Sequence, residues 1–114
     1  MQVLFESRDV DAVPLRDLAI DRVRFSMRRL TWLVPRAKVR FSDINGPRGG
    51  LDKCCQIELK TEHHGTLVIR SVAHDWRQAL DDALARATHC LLRTWRRTQT
   101  RQRAPSQRHR ISAV

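Results

Sequence analysis

The chain has 114 residues, of which 41% are hydrophobic, and carries 22 Lys+Arg against 12 Asp+Glu for a net charge of +10. That length suits one domain able to bury a core without metal or disulfide staples, and a second domain is not expected in it. Three cysteines, two of them adjacent, exclude a disulfide framework, and the lack of a run of about 18 apolar residues or of a basic-then-apolar start leads to the expectation of a soluble, non-exported, cytoplasmic protein with no membrane contact.

Residues 1–7 alternate, Val3 and Phe5 on one side against Gln2, Leu4 and Glu6 on the other, which is the period of a half-buried strand. Asp9 and Asp11 mark a turn, and Pro14 suits the first turn of a helix, where its missing N–H has no partner to lose. Over residues 15–33 the apolar set Leu15, Leu18, Ala19, Val23, Met27 and Leu30 follows a helical stripe. Asp17 and Asp21 are spaced to pair with the arginines around them. Pro35 ends that helix.

Residues 36–43 alternate cleanly, with Ala37, Val39 and Phe41 facing the core and Arg36, Lys38, Arg40 and Ser42 facing out. The string Asn-Gly-Pro-Arg-Gly-Gly over residues 45–50 is turn chemistry, with Arg48 at its tip. A third strand over residues 53–61 points Cys55, Ile57 and Leu59 inward and Cys54, Gln56, Glu58 and Lys60 outward. The chain turns at His63, His64 and Gly65, and a fourth strand over residues 66–72 offers Leu67 and Ile69 as its inward pair. Asp75 with Gln78 three residues later is a capping-box signature. The helix it starts, over residues 74–98, carries the stripe Trp76, Ala79, Leu80, Ala83, Leu84, Ala87, Leu91 and Trp95.

The order is β-α-β-β-β-α, and the fold class is α+β. Four strands with one apolar face each and two helices with one stripe each close as a two-layer βαβββα sandwich, a four-stranded mixed sheet with both helices on one face. The first two strands, joined through a helix, run parallel, and the other connections are hairpins. The domain spans residues 1–100. Residues 101–114 have almost nothing to bury and are read as a basic, disordered tail.

The positive charge is unevenly placed. After Asp82 there is no acid, while Arg86, Arg93, Arg96, Arg97, Arg101, Arg103, Arg108 and Arg110 all follow it. A clustered basic stripe is an electrostatic footprint for phosphate, so nucleic acid is the leading partner class. Arg86, Arg93 and Arg97 fall on roughly one helix face. The outer sheet face, with Arg36, Lys38 and Arg40 partly compensated by Glu58, ranks second, and Arg48 at the turn tip is placed to reach RNA. Trp76 and Trp95 belong to the buried stripe. Trp32 is a candidate for base stacking, though core packing is its simpler reading.

No chemistry of turnover can be assembled. Cys54 and Cys55 point to opposite faces of a strand, and neither they nor His63, His64 and Cys90 have zinc-ligand spacing. Residues 46–50 lack the Gly-Lys-Ser/Thr ending of a nucleotide loop. His74 and Asp75 are adjacent, but Asp75 is the helix cap. No catalytic residue, cofactor, metal or small-molecule substrate is therefore expected.

Several strings together carry a family likeness: Met1-Gln2, Val10 ahead of a helix, Lys38-Val39-Arg40-Phe41, and above all Asp75-Trp76-Arg77-Gln78-Ala79-Leu80-Asp81. Over residues 1–100 the chain resembles the short form of the ribosome hibernation promoting factors, also called ribosome-associated inhibitors or sigma-54 modulation proteins. The last string is similar to that family's D-x-Y-x-A-I-D landmark, with Arg77 in place of its aromatic residue. The resemblance implies a βαβββα domain that sits on the small ribosomal subunit, touches rRNA with basic side chains of both helices, and blocks the mRNA and tRNA path. By position it implies that Arg22, Arg86, Arg93 and Arg97 contact rRNA, and it implies a monomer off the ribosome. Two other readings stay open on the same residues: a module for structured RNA or DNA outside the ribosome, and a regulatory domain that meets an acidic protein.

Overall fold

The computed structural model describes residues 1–44 and 52–113, the side chains of 98–113 excepted. Strand β1 (Gln2–Ser7) leads through a 3-10 turn at Val13–Leu15, with Pro14 at its start, into helix α1 (Arg16–Ser26). Strands β2 (Arg36–Asp43), β3 (Lys53–Lys60) and β4 (Thr66–Ala73) follow, and helix α2 (Trp76–Ala113) ends the chain. The four strands lie in sequence order, β1 parallel to β2 and the other pairs antiparallel. Helix α1 packs over β1 and β2, and α2 packs over β3 and β4, so the two-layer α+β sandwich expected from the sequence is the fold.

The register explains the layers. Val3 lies opposite Ala37, Ala37 opposite Leu59, and Leu59 opposite Leu67, so the apolar sets of four strands form one continuous face. Ala79, Ala83 and Ala87 on α2 are fully buried, and their small side chains let that helix come close to the sheet. Phe41 joins the layers: Trp76 stacks on it with ring centroids 5.2 Å apart, and Phe5 meets it edge-on at 5.4 Å. The Asp75 carboxylate accepts the Gln78 amide at 2.8 Å, the N-cap bond anticipated at the start of α2.

Three elements depart from the sequence reading. Helix α1 stops at Ser26, not near Leu33, yet Met27, Leu30 and Leu33 are buried. Their spacing of three matches successive tight turns, in which Leu30 N–H donates to Met27 O at 2.8 Å and Leu33 N–H to Leu30 O at 2.9 Å. Cys54 does face outward from the sheet, but it is buried all the same, between Ser42 and Val72 on the neighbouring strands and under Arg70, whose Nη2 donates to its sulfur at 3.5 Å. Finally, the backbone of α2 continues as helix to Ala113, past the point near residue 98 where the sequence reading ends it and begins a tail. Arg48 and the turn over residues 45–50 lie outside the described residues.

The β3–β4 turn needs its glycine. Gly65 has φ +73°, and its carbonyl accepts both the Thr61 amide at 3.0 Å and the Thr61 hydroxyl at 2.6 Å. A Cβ at Gly65 would meet nothing within 4 Å. The cost of Gly65→Ala is therefore one of backbone conformation, about 1–2 kcal/mol, and should appear as a lower denaturation midpoint with an unchanged slope; a variant as stable as the parent would contradict it.

Candidate nucleic-acid interface

Helix α2 buries Trp76, Leu80, Leu84 and Leu91 against the sheet, and the 3.6-residue period then turns Arg86, Arg93 and Arg97 to solvent. Arg86 leans toward the edge of the sheet, where its Nη1 donates to the Arg70 carbonyl at 3.1 Å. Arg93 and Arg97 stand exposed and make no ion pair among the described residues. Arg96 is exposed on the same turn. This helix has no acid from Ala83 onward, so a phosphate approaching it meets a positive potential that no carboxylate of the same stretch offsets.

Arg22 has a different setting. It lies in the groove between the two helices and forms an ion pair with Asp81 of α2. Its side chain is 39% and that of Asp81 53% accessible, so water screens the pair and it contributes at most about 1 kcal/mol to stability. A phosphate reaching Arg22 has to compete with that carboxylate. Arg16 pairs with its sequence neighbour Asp17, so among the described residues the pairing expected for Asp17 and Asp21 three or four positions along α1 is not the one made.

Lys38 and Arg40 project from the opposite side of the molecule, the sheet face that no helix covers. Glu6 on β1 bridges them, with Lys38 Nζ at 3.1 Å and Arg40 Nη2 at 2.9 Å. Glu58, which the sequence reading assigned to compensate them, instead accepts the Gln56 amide at 3.1 Å. The hydrogen bond from Lys38, together with the positive charges of Arg40 and Lys38, holds the Glu6 carboxyl below its ordinary 4.5 against the desolvation that would raise it. A carboxyl depressed on folding stabilises the native state above its unfolded value and loses that contribution as pH falls through its folded value. Glu6→Gln should thus flatten the fall in thermal midpoint below about pH 4.5, and an acid limb identical to the parent's would refute the bridge.

The eight residues singled out in the sequence thus divide. Arg86, Arg93, Arg96 and Arg97 share one helix; Arg22 sits in the neighbouring groove; Lys38 and Arg40 occupy the far side of the sheet; Arg48 lies outside the described residues. Two contacts went unread. Trp32, the stacking candidate, is 59% exposed rather than part of the core, and it meets Trp95 edge-to-face at 5.8 Å. Phe25, 66% exposed, carries the Arg28 guanidinium 4.1 Å above its ring. The Phe25–Arg28 spacing was a readable signal for a helix-surface pair; nothing local signals the tryptophan pair.

Cys54 on the outer face and Cys55 in the core diverge as strand neighbours must, and burial pushes the Cys55 thiol well above its usual range. No helix among the described residues is long and apolar enough to cross a membrane.

A mixed four-stranded sheet with two helices on one face defines a class of small α+β domains, and solved structures share that fold. The N-terminal domain of Protein Y from Thermus thermophilus matches with a TM-score of 0.63 and 20% identity, over 82% of this chain and 99% of that one. A ribosomal subunit interface protein from Coxiella burnetii matches with a TM-score of 0.65 and 18% identity, over 82% of this chain and 97% of that one. The likeness is one of fold, the fold that the resemblance read from the sequence implied. No family model matches the sequence, and no curated protein sequence does.

Proposed function

We propose that this chain is a ribosome-binding inhibitor of translation that docks on small-subunit rRNA through the arginine face of α2. The observation that carries the reading is the exposed, acid-free row Arg86, Arg93 and Arg97 on a fold similar to that of a ribosomal subunit interface protein. Guanidinium groups spaced along a helix neutralise successive phosphates and release their counterions. The bulk of the sandwich then fills the path of mRNA and tRNA, so inhibition is steric and involves no turnover. Arg96 lies on the same helix and adds a contact, Arg22 is reached from the neighbouring groove, and Lys38 and Arg40 lie on the far side of the sheet. The protein acts in the cytoplasm, as a monomer when off the ribosome.

Competition tests the reading. Labelled protein bound to small subunits should resist displacement by a large mass excess of duplex RNA, because duplex RNA offers phosphates but not the shaped site. Displacement in proportion to phosphate concentration would instead assign the chain to structured RNA outside the ribosome.

A further inference from the structure

The tryptophan pair joins two acid-free parts of the chain. Between Asp21 and Asp43 the sequence has no acid, and Trp32 lies at the middle of that stretch, shortly after the exposed Arg28 and Arg29. Of the other cations there, Arg22 pairs with Asp81, and Lys38 and Arg40 pair with Glu6 on the far sheet face. Trp95 lies in the acid-free stretch after Asp82, directly before Arg96 and Arg97. Their contact brings the two stretches together at the far end of the helix layer.

Trp32 is held in place while staying open to solvent. Its Nε1 donates to the Arg29 carbonyl at 3.1 Å, so the polar edge of the indole needs no outside partner. Trp95 fixes the ring at an interplanar angle of 76°. With 59% of the residue still exposed, the surroundings have fixed the orientation of a large apolar surface without covering it. Its neighbours in sequence, Arg28 and Arg29, are exposed too, and Arg28 caps the exposed ring of Phe25 one turn earlier. Glu62 reaches this segment through its backbone amide, bonded to the Leu33 carbonyl at 3.3 Å.

A fixed aromatic face among arginines suits one kind of occupant. A nucleobase has an apolar π-face to stack on the indole and brings a phosphate for the exposed arginines near the two tryptophans in sequence, Arg29 and Arg97. An apolar protein segment would bury the ring equally well but would gain nothing from the surrounding positive charge. We infer that Trp32, braced by Trp95, is a stacking platform for one unpaired nucleobase of the bound RNA. The inference rests on the RNA-binding reading of the α2 face and adds that the RNA contains a splayed or single-stranded nucleotide at the Trp32 end. Stacking carries little salt dependence, unlike the phosphate contacts.

The test uses the full chain and two variants, Trp32→Leu and Trp32→Phe, titrated separately against purified small subunits and against a single-stranded RNA oligonucleotide. Trp32→Leu should weaken both by about 5- to 100-fold with the salt slope unchanged, while Trp32→Phe should stay within a few-fold of the parent. Thermal midpoints of both variants should remain close to the parent's, since the ring is mostly exposed. Parental affinity of Trp32→Leu for both RNAs would overturn the platform and leave the ribosome reading intact. Loss on subunits with no change on the oligonucleotide would assign Trp32 to a protein contact and also overturn it. If the parent itself fails to bind subunits, the ribosome reading falls, and the oligonucleotide series alone decides the platform.

Discussion

The triple variant Arg86→Glu, Arg93→Glu, Arg97→Glu should lose ribosome binding while keeping its fold. Each arginine is exposed, and among the described residues only Arg86 has a partner of the three, the Arg70 carbonyl at 3.1 Å. A hydrogen bond between a charged group and its partner contributes about 1.5–3 kcal/mol, so three phosphate contacts together are worth on the order of 1000-fold or more in affinity. Replacement by glutamate adds repulsion to that loss. The salt slope of whatever binding remains should fall by about three units, one for each phosphate contact removed. Stability should drop only by the single bond of Arg86, which its exposure to water holds to about 1 kcal/mol. A triple variant that folds and still binds subunits with the parent's salt slope would remove α2 from the interface.

The largest loss of stability is expected at Trp76. Its ring stacks on Phe41 at 5.2 Å with an interplanar angle of 13°, its Nε1 donates to the Asp11 carboxylate at 3.2 Å, and the Lys53 ammonium lies 5.3 Å from its centroid. Lys53 is itself anchored to Asp43 at 2.8 Å beside the buried Asp52. Trp76 thus ties the start of α2 to the loop after β1 and to the β2–β3 end of the sheet. Trp76→Ala should cost about 3–5 kcal/mol, a large part of the roughly 5–15 kcal/mol available to a domain. Trp76→Phe keeps the stacking and loses the hydrogen bond, and should cost nearer ~1 kcal/mol. Guanidinium unfolding of the two variants would read the difference; equal losses would show that the Asp11 bond, not the packing, holds this corner.

Residues with a strict period were legible. Ala37, Val39 and Phe41 alternate because β2 is central and covered on one face only, and that asymmetry is written into every second position. The α2 stripe was legible for the same reason, with Asp75 marking its start. The end of α1 was not, because Met27, Leu30 and Leu33 satisfy a three-residue period almost as well as a helical one. Cys54 shows the limit of alternation: the pattern gives the face of the sheet but not what Arg70 does above it.

In the candidate site, local spacing gave the row on α2, since helix geometry alone sets which arginines share a face. Contacts between distant segments were beyond it. Asp81 claims Arg22 across 59 positions, and Glu6 rather than Glu58 neutralises the outer-face cations. Both depend on which elements lie side by side and how long side chains reach across them. The Trp32–Trp95 contact is of the same kind: it depends on where the turns after α1 come to lie against α2.

The most direct test of the account is sedimentation of the purified chain with ribosomes and separated subunits through sucrose gradients at two salt concentrations, beside an unrelated basic protein of similar charge. The account predicts that the chain stays with the small subunit and the whole ribosome at a salt concentration that strips the control. Release in step with the control at every salt would contradict it, since that is the behaviour of a polycation with no site of its own.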